Sequence, residues 1–133
     1  MEITVKGLYD LEIYQIARKI SGLAWKISNQ LPKHFQFTIG NQFLDSADSI
    51  SANISEGYGR YHYKDSMNFN FYARGSCFEL RDWDEKLIER ELCDIQDGKD
   101  LHGLVELEII KINGYNNYLR SKLMQNSIDK KAK

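Results

Sequence analysis

Ser49, Asn53 and Glu56 recur at intervals of four and three residues, so on a helix they line up with Ser46 as one polar stripe. Beside it, Phe43, Ala47, Ile50 and Ile54 form an apolar stripe at the same spacing. An amide and a carboxylate next to a helix-bundle interior cost several kcal/mol if left unpaired. Two uses follow. The polar groups can pair with Ser76, Glu79 or Arg74 on the next helix, or Glu56 can serve as a general base whose pKa is raised by burial. No nucleophile or partner acid accompanies Glu56, which favours the structural use.

Other chemistries find less support. His34, His62 and His102 have no second histidine four residues on and fall in or near connections. The Glu-x-x-His pairs of a di-iron bundle are missing from the sequence. Gly57-Tyr58-Gly59-Arg60-Tyr61-His62 begins like a phosphate-binding loop, yet lacks the third glycine and follows a helix instead of a strand. Cys77 and Cys93 form no Cys-x-x-Cys pair and read as reduced, partly buried thiols. The sequon Asn53-Ile54-Ser55 lies inside an expected helix. The expectation is a protein with no metal, no cofactor and no enzymatic activity.

Arg60, Lys64 and Arg74 occur with Tyr58, Tyr61, His62 and Tyr63 in and after a turn. Cations interleaved with aromatic rings can hold phosphates while the rings stack on unpaired bases. We therefore take Arg60, Lys64 and Arg74 as candidate phosphate contacts and Tyr61 and Tyr63 as candidate stacking residues. The plainer alternative is a bundle end covered by tyrosines with solvated cations beside it.

The rest of the chain must position these groups. Its 133 residues, 42% of them hydrophobic, suit one domain with one core, and a net charge of −1 gives no overall positive field. No apolar run approaches the roughly 20 residues of a membrane-spanning helix, and Met1 to Asp10 has no signal-peptide core. A cytoplasmic location is expected.

Residues 1–7 read as a short lead-in. Asp10 is placed to cap a first helix running to about Leu31, with Ile13, Ala17, Ile20, Ala24 and Ile27 on its buried face and Pro32 ending it. Phe35 and Phe37 are expected to cover the end of the bundle, and Thr38 to cap a second helix ending at Glu56 or Gly57. Gly57 and Gly59 supply backbone freedom there. A third helix should run from about Tyr63 to Glu91, burying Phe69, Tyr72, Ala73, Ser76, Leu80, Trp83 and Leu87. Phe71 and Phe78 lie off that stripe and imply a second contact, and Gly75-Ser76 permits a close helix approach. A fourth helix, capped by Asp97 or Asp100, carries Leu101, Val105, Ile109, Ile112, Leu119 and Leu123. Residues 124–133 form a charged tail expected to be disordered. The architecture is all-α, an up-down-up-down antiparallel four-helix bundle over residues 8–123.

These residues carry a resemblance. Leu8-Tyr9-Asp10-Leu11, Leu31-Pro32, Gln42, Ser49-Ile50, the run Asn53-Ile54-Ser55-Glu56-Gly57-Tyr58-Gly59-Arg60, Ala73-Arg74-Gly75-Ser76 and Glu79-Leu80 resemble a family of small helical proteins. Its members were first noticed as reading frames in the intervening sequences of bacterial 23S rRNA genes, and are often called S23 ribosomal proteins. The resemblance implies the four-helix fold, a ring-like homopentamer, and structural roles for Ser49, Asn53, Glu56, Gly57, Gly59, Gly75 and Ser76. It further implies kinship with the accessory proteins of diversity-generating retroelements, which bind reverse transcriptase and engage nucleic acid. Leu44 and Asp45 stand where relatives tend to carry arginines, and Tyr14 where many have tryptophan, so positive charge useful for RNA or DNA is reduced. The leading expectation is a non-enzymatic, nucleic-acid-associated scaffold or adaptor. The alternative is a protein-binding adaptor using Phe71 and Phe78.

Overall fold

The computed structural model describes residues 7–132, and the lead-in expected over residues 1–7 lies, apart from Gly7, outside the described residues. Helices α1 (Glu12–Gln30), α2 (Lys33–Gln36), α3 (Ile39–Tyr58), α4 (Tyr63–Glu89) and α5 (Ile95–Ala132) follow in order. Helix α1 packs against α3 and α5, α3 against α4, and α4 against α5, while the single turn α2 rests on α3.

Local chemistry sets the boundaries. Leu31 takes the extended backbone that a following proline demands, ending α1, and Gln36 Nε2 donates to the Leu31 carbonyl at 2.9 Å. Asp10 does not cap α1: its carboxylate accepts from the Gly7 amide, and Leu11 occupies the cap position with no side-chain bond. Thr38 precedes α3 without a capping bond either. Asp94, rather than Asp97 or Asp100, opens α5, its Oδ1 accepting from the Asp97 amide at 3.0 Å. Helix α4 stops at Glu89, short of the expected Glu91, because Glu91 adopts the left-handed conformation at φ 57°. The Leu92 amide then bonds the Leu87 carbonyl and the Glu91 amide bonds the Ile88 carbonyl, the paired bonds of a Schellman turn without its usual glycine.

The buried stripes of α1 and α3 are the expected ones, with Ile20, Ala24, Phe43, Ala47 and Ile50 fully enclosed. On α4 the stripe is rotated. Met67, Asn70, Ala73, Cys77, Leu80, Asp84 and Leu87 are buried, whereas Tyr72 is exposed and Trp83 packs only partly against the core. Residues 70, 77 and 84 alternate with 73, 80 and 87 in a strict seven-residue repeat, the spacing that keeps one seam facing a neighbouring helix. Phe37, expected to close the bundle end, is 78% exposed because the α2 turn points it outward.

Helix α5 does not stop at Leu123. Its apolar stripe ends there, but the helix continues through the charged segment to Ala132 with every residue beyond Leu119 exposed. The segment expected to be a disordered tail is therefore helix that projects past the core.

The glycines divide by what surrounds them. Gly57 has an ordinary helical backbone, so its role is space: a Cβ there would lie 2.7 Å from Phe69 Cβ and 3.1 Å from the Ser66 carbonyl oxygen. Gly75 is the reverse, since a Cβ would meet nothing within 4 Å. The close approach expected at Gly75 is thus made at Gly57. Replacing Gly75 with alanine is expected to raise the unfolding free energy of an isolated subunit by about 1 kcal/mol through helix propensity. Urea denaturation measures it, and a loss of stability would mean that Gly75 is covered by another chain.

Candidate nucleic-acid interface

Of the five candidate residues expected in and after the α3–α4 turn, four lie together at it. Arg60 follows the end of α3, Tyr61 lies in the connection, and Tyr63 and Lys64 open α4. Arg60 Nη2 donates to Glu56 Oε1 at 2.8 Å, and its guanidinium carbon sits 4.8 Å from the Phe69 ring centroid. The Glu56 carboxylate is therefore an exposed partner of Arg60 and not a buried base. Tyr61 is 92% exposed and meets the His62 ring edge-on at 4.9 Å between centroids. Tyr61, Tyr63 and Lys64 line a groove whose other wall is the projecting part of α5, where Leu123 and Lys130 stand. Asp65 and Asp129 line the same groove and offset part of its positive charge.

Arg74 lies elsewhere. Nearly three helical turns beyond Lys64, it points toward α5, with Nη1 2.7 Å from Asn113 Oδ1 and its guanidinium 4.8 Å from the Phe71 ring. One heptad on, Arg81 repeats the arrangement with Glu106 at 2.7 Å and the Phe78 ring at 4.6 Å. These pairs cover the off-stripe rings Phe71 and Phe78 with guanidinium groups.

The remaining motif residues divide between bonds across the α3–α4 contact and bonds within α3, and of the expected polar stripe only Ser49 pairs with a side chain on α4. Ser49 Oγ lies 2.8 Å from Ser76 Oγ across the α3–α4 contact, and Asn53 Nδ2 donates to the Ser49 carbonyl at 2.8 Å. Ser66 Oγ donates to the Gly57 carbonyl at 2.6 Å, so Gly57 serves both as the point of closest approach and as an acceptor. Gly59 sits at the C-terminal end of α3, its amide bonded to the Ser55 carbonyl.

Several buried polar residues escaped the sequence reading. Asn70 Nδ2 donates to Asn116 Oδ1 at 2.9 Å, and Asn116 Nδ2 donates to the Met67 carbonyl. Asp84 and Glu108 are wholly buried, and no hydrogen-bond partner reaches either carboxyl among the described residues. Desolvation, with the Glu12 charge adding to it, pushes the Glu108 carboxyl up to about 9. Desolvation and then Glu85 push Asp84 up to about 7. The only signal in the sequence is spacing: Asn70 and Asp84 lie seven residues either side of Cys77, and Glu108 lies three residues after Val105 and four before Ile112. Cys93 is likewise raised to about 11 by burial, and both cysteines are free.

Among the described residues no group of three or more His, Cys, Asp or Glu side chains is placed to hold a metal ion, and no helix is long and apolar enough to cross a membrane.

The fold and this site define an all-helical protein whose polar chemistry either joins helices or gathers at one end of the α3–α4 pair. The chain belongs to the 23S rRNA-intervening sequence protein family, whose model matches residues 9–114. Among solved structures it is similar to a protein of unknown function from the S23 ribosomal protein family of Bacteroides thetaiotaomicron VPI-5482, with a TM-score of 0.73 and 19% identity. That likeness covers 78% of this chain and 97% of the other, and at such identity it is a likeness of fold. No curated protein matches the sequence.

Proposed function

We propose that this protein is a non-enzymatic, homo-oligomeric scaffold or adaptor of the cytoplasm that binds single-stranded RNA or DNA at the α3–α4 end. The observation that carries the reading is the gathering of Arg60, Tyr61, Tyr63 and Lys64 beside Lys130 from the projecting end of α5. Cations gathered beside aromatic rings hold the phosphates of a strand, and the exposed Tyr61 ring offers a stacking surface. The up-down-up-down four-helix arrangement is supported by the pairings Lys26–Asp97 and Glu12–Lys111 between α1 and α5, Ser49–Ser76 between α3 and α4, and Arg81–Glu106 between α4 and α5.

Assembly into a homopentamer is supported by apolar surface that one subunit leaves open. On α5, Gly103, Leu107, Ile110, Gly114 and Tyr118 follow helical spacing along one exposed face, and Ile110 is 66% exposed. Subunits brought together would also concentrate the few cations of each.

Affinity for a mixed single-stranded pool, measured by fluorescence anisotropy across a salt series, tests the site. With two or three phosphates engaged, log affinity should fall with log salt at a slope of about −1.4 to −2. The Arg60→Ala, Lys64→Ala double change should make that slope shallower by about 1.4. An unchanged slope would remove the site assignment.

The second reading, a protein-binding adaptor without nucleic-acid contact, draws on the partly exposed Phe78 and its neighbour Phe71 beside exposed Tyr72. A reverse transcriptase is the partner implied by the family resemblance. Salt-insensitive capture of a protein, abolished by Phe71→Asp in an otherwise assembled oligomer, would favour it.

A further inference from the structure

Gly103, Leu107, Ile110 and Gly114 follow one another along the outside of α5 in alternate steps of four and three. The same steps continue without a break through Asn117, Ser121, Met124 and Ile128, beyond the end of the core. All of these residues are exposed, and Ile110, Met124 and Ile128 are each more than half exposed. None is charged, although Glu106, Glu108, Lys111, Arg120 and Lys122 lie in the same interval. A seven-residue repeat of uncharged side chains is the pattern of a helix that meets another helix along its length. Inside the subunit α5 is packed through the opposite face, on Leu101, Val105, Glu108, Ile112 and Leu119.

Two further observations bear on this line. A Cβ at Gly103 or Gly114 would meet nothing within 4 Å, so no contact inside the subunit calls for either glycine, and each weakens the helix that carries it. A second helix approaching closely at both points accounts for them. The end of α5 also projects with every residue beyond Leu119 exposed, and a helical segment that short is marginal in water by itself. Leu123 and Lys130 line the groove of Tyr61, Tyr63 and Lys64, whereas Met124 and Ile128 lie outside that lining.

The borders of the line fix how a partner lies. Glu106 stands on one side and Lys111 on the other, both partly exposed, paired within the subunit to Arg81 and Glu12. When two such helices run parallel and in register, a residue on one border faces the residue five positions further on across the seam. Glu106 then meets Lys111 of the second copy, joining two ion pairs into a network of four alternating charges. Asn117 meets its own equivalent, amide to amide. An antiparallel partner would set each border against the same border of its neighbour, and both matches would be lost. A closed ring relates its copies by rotation about one axis, which keeps equivalent helices pointing the same way.

We infer that the outer face of α5 from Gly103 to Ile128 receives α5 of a second copy, parallel and in register. This rests on the oligomeric reading above and gives the assembly its contact. Every groove of Tyr61, Tyr63 and Lys64 then lies at the same end of the assembly, so a strand longer than one groove meets several at once.

Light scattering over a dilution series, with circular dichroism to follow folding, compares the wild type with Ile110→Asp, Met124→Asp and, off the line, Ile95→Asp. The wild type and Ile95→Asp should be oligomers, and the two seam variants folded monomers, their association weakened about thirtyfold or more. Both side chains are exposed in the subunit, so the loss of mass is not a loss of fold. Ser121→Cys in a Cys93→Ser background should link chain to chain when treated with a short bis-maleimide. A strand of about thirty nucleotides should bind the wild type about tenfold or more tighter than Ile110→Asp, while an octamer binds both alike. A wild type that stays monomeric at every concentration would overturn the seam and the oligomeric reading together. Oligomers that survive both Ile110→Asp and Met124→Asp would overturn the seam and leave the oligomeric reading standing on another face. Oligomers that those changes disperse, but that Ser121→Cys does not cross-link, would overturn the parallel alignment. Equal binding of the long strand would overturn the common end, and no strand bound by either protein would overturn the nucleic-acid reading alone.

Discussion

The unfolding free energy of this protein is expected to fall steeply as pH rises from about 5 to about 9. Asp84 and Glu108 are fully buried without hydrogen-bond partners, so the folded state holds both as neutral acids, with pKa values of about 7 and about 9. In the unfolded chain they ionise near the ordinary carboxylate values of 3.8 and 4.5. Across the interval the unfolded state binds fewer protons than the folded one, so stability declines with pH. It is fully present below the unfolded values, falls by up to about 3 kcal/mol per pH unit while both acids differ, and by about half that above about pH 7 where only Glu108 does. It levels off beyond about pH 9. The whole decline is of the same order as the 5 to 15 kcal/mol that stabilises a typical domain.

Urea midpoints at intervals of one pH unit would trace this curve. The groups facing Glu108 are Glu12, itself paired with Lys111, and Cys77; those facing Asp84 are Glu85 and Cys93. None supplies a cation to either carboxyl. Glu108→Gln should therefore abolish the limb above about pH 7, and Asp84→Asn should halve the slope below it. A flat profile would mean that both carboxyls are ionised and compensated, and would remove the neutral-acid account of the core.

Gly57→Val is expected to unfold or severely destabilise the protein, whereas Gly59→Ala should change stability by less than about 1 kcal/mol. At Gly57 even a single methyl would overlap Phe69 Cβ at 2.7 Å and crowd the Ser66 backbone carbonyl at 3.1 Å. Neither is the far end of a flexible chain, so α3 and α4 would have to separate. Separation would lengthen the Ser66–Gly57 bond of 2.6 Å and open the layer that Ile54 and Met67 help to close. Overpacking of this kind costs about 1 to 3 kcal/mol for a small group, and the branched valine lies beyond that range. At Gly59 the nearest atoms are carbonyl oxygens at 3.5 Å and 3.7 Å, and the backbone is right-handed helical. Thermal melts of the two variants distinguish packing from backbone freedom: equal losses would return both glycines to the turn.

The candidate interface was partly legible. Arg60, Tyr61, Tyr63 and Lys64 are neighbours in sequence and stay neighbours at a helix connection, because a tight link leaves them nowhere else to go. Lys130 and Tyr115 join them only because α5 returns along α4 and projects beyond it. Arg74 shares a short stretch of chain with the four but turns to α5, where the Phe71 ring and Asn113 hold it. Glu56, the residue that looked most reactive, lies one turn from the end of α3, close enough to solvent and to Arg60 to pair at the surface.

By itself the sequence determined the four long helices, the stop at Pro32, the buried faces of α1 and α3, and the family, because each depends on local spacing or on a short run of residues. Tertiary structure decided which face of α4 is buried, since aromatic residues surround that helix and periodicity alone does not choose among them. It also decided that Asp84 and Glu108 lie inside and that Asn70 faces a cavity. The side chains that enclose these groups come from helices distant in sequence, so their solvation is a property of the packed core and not of any segment.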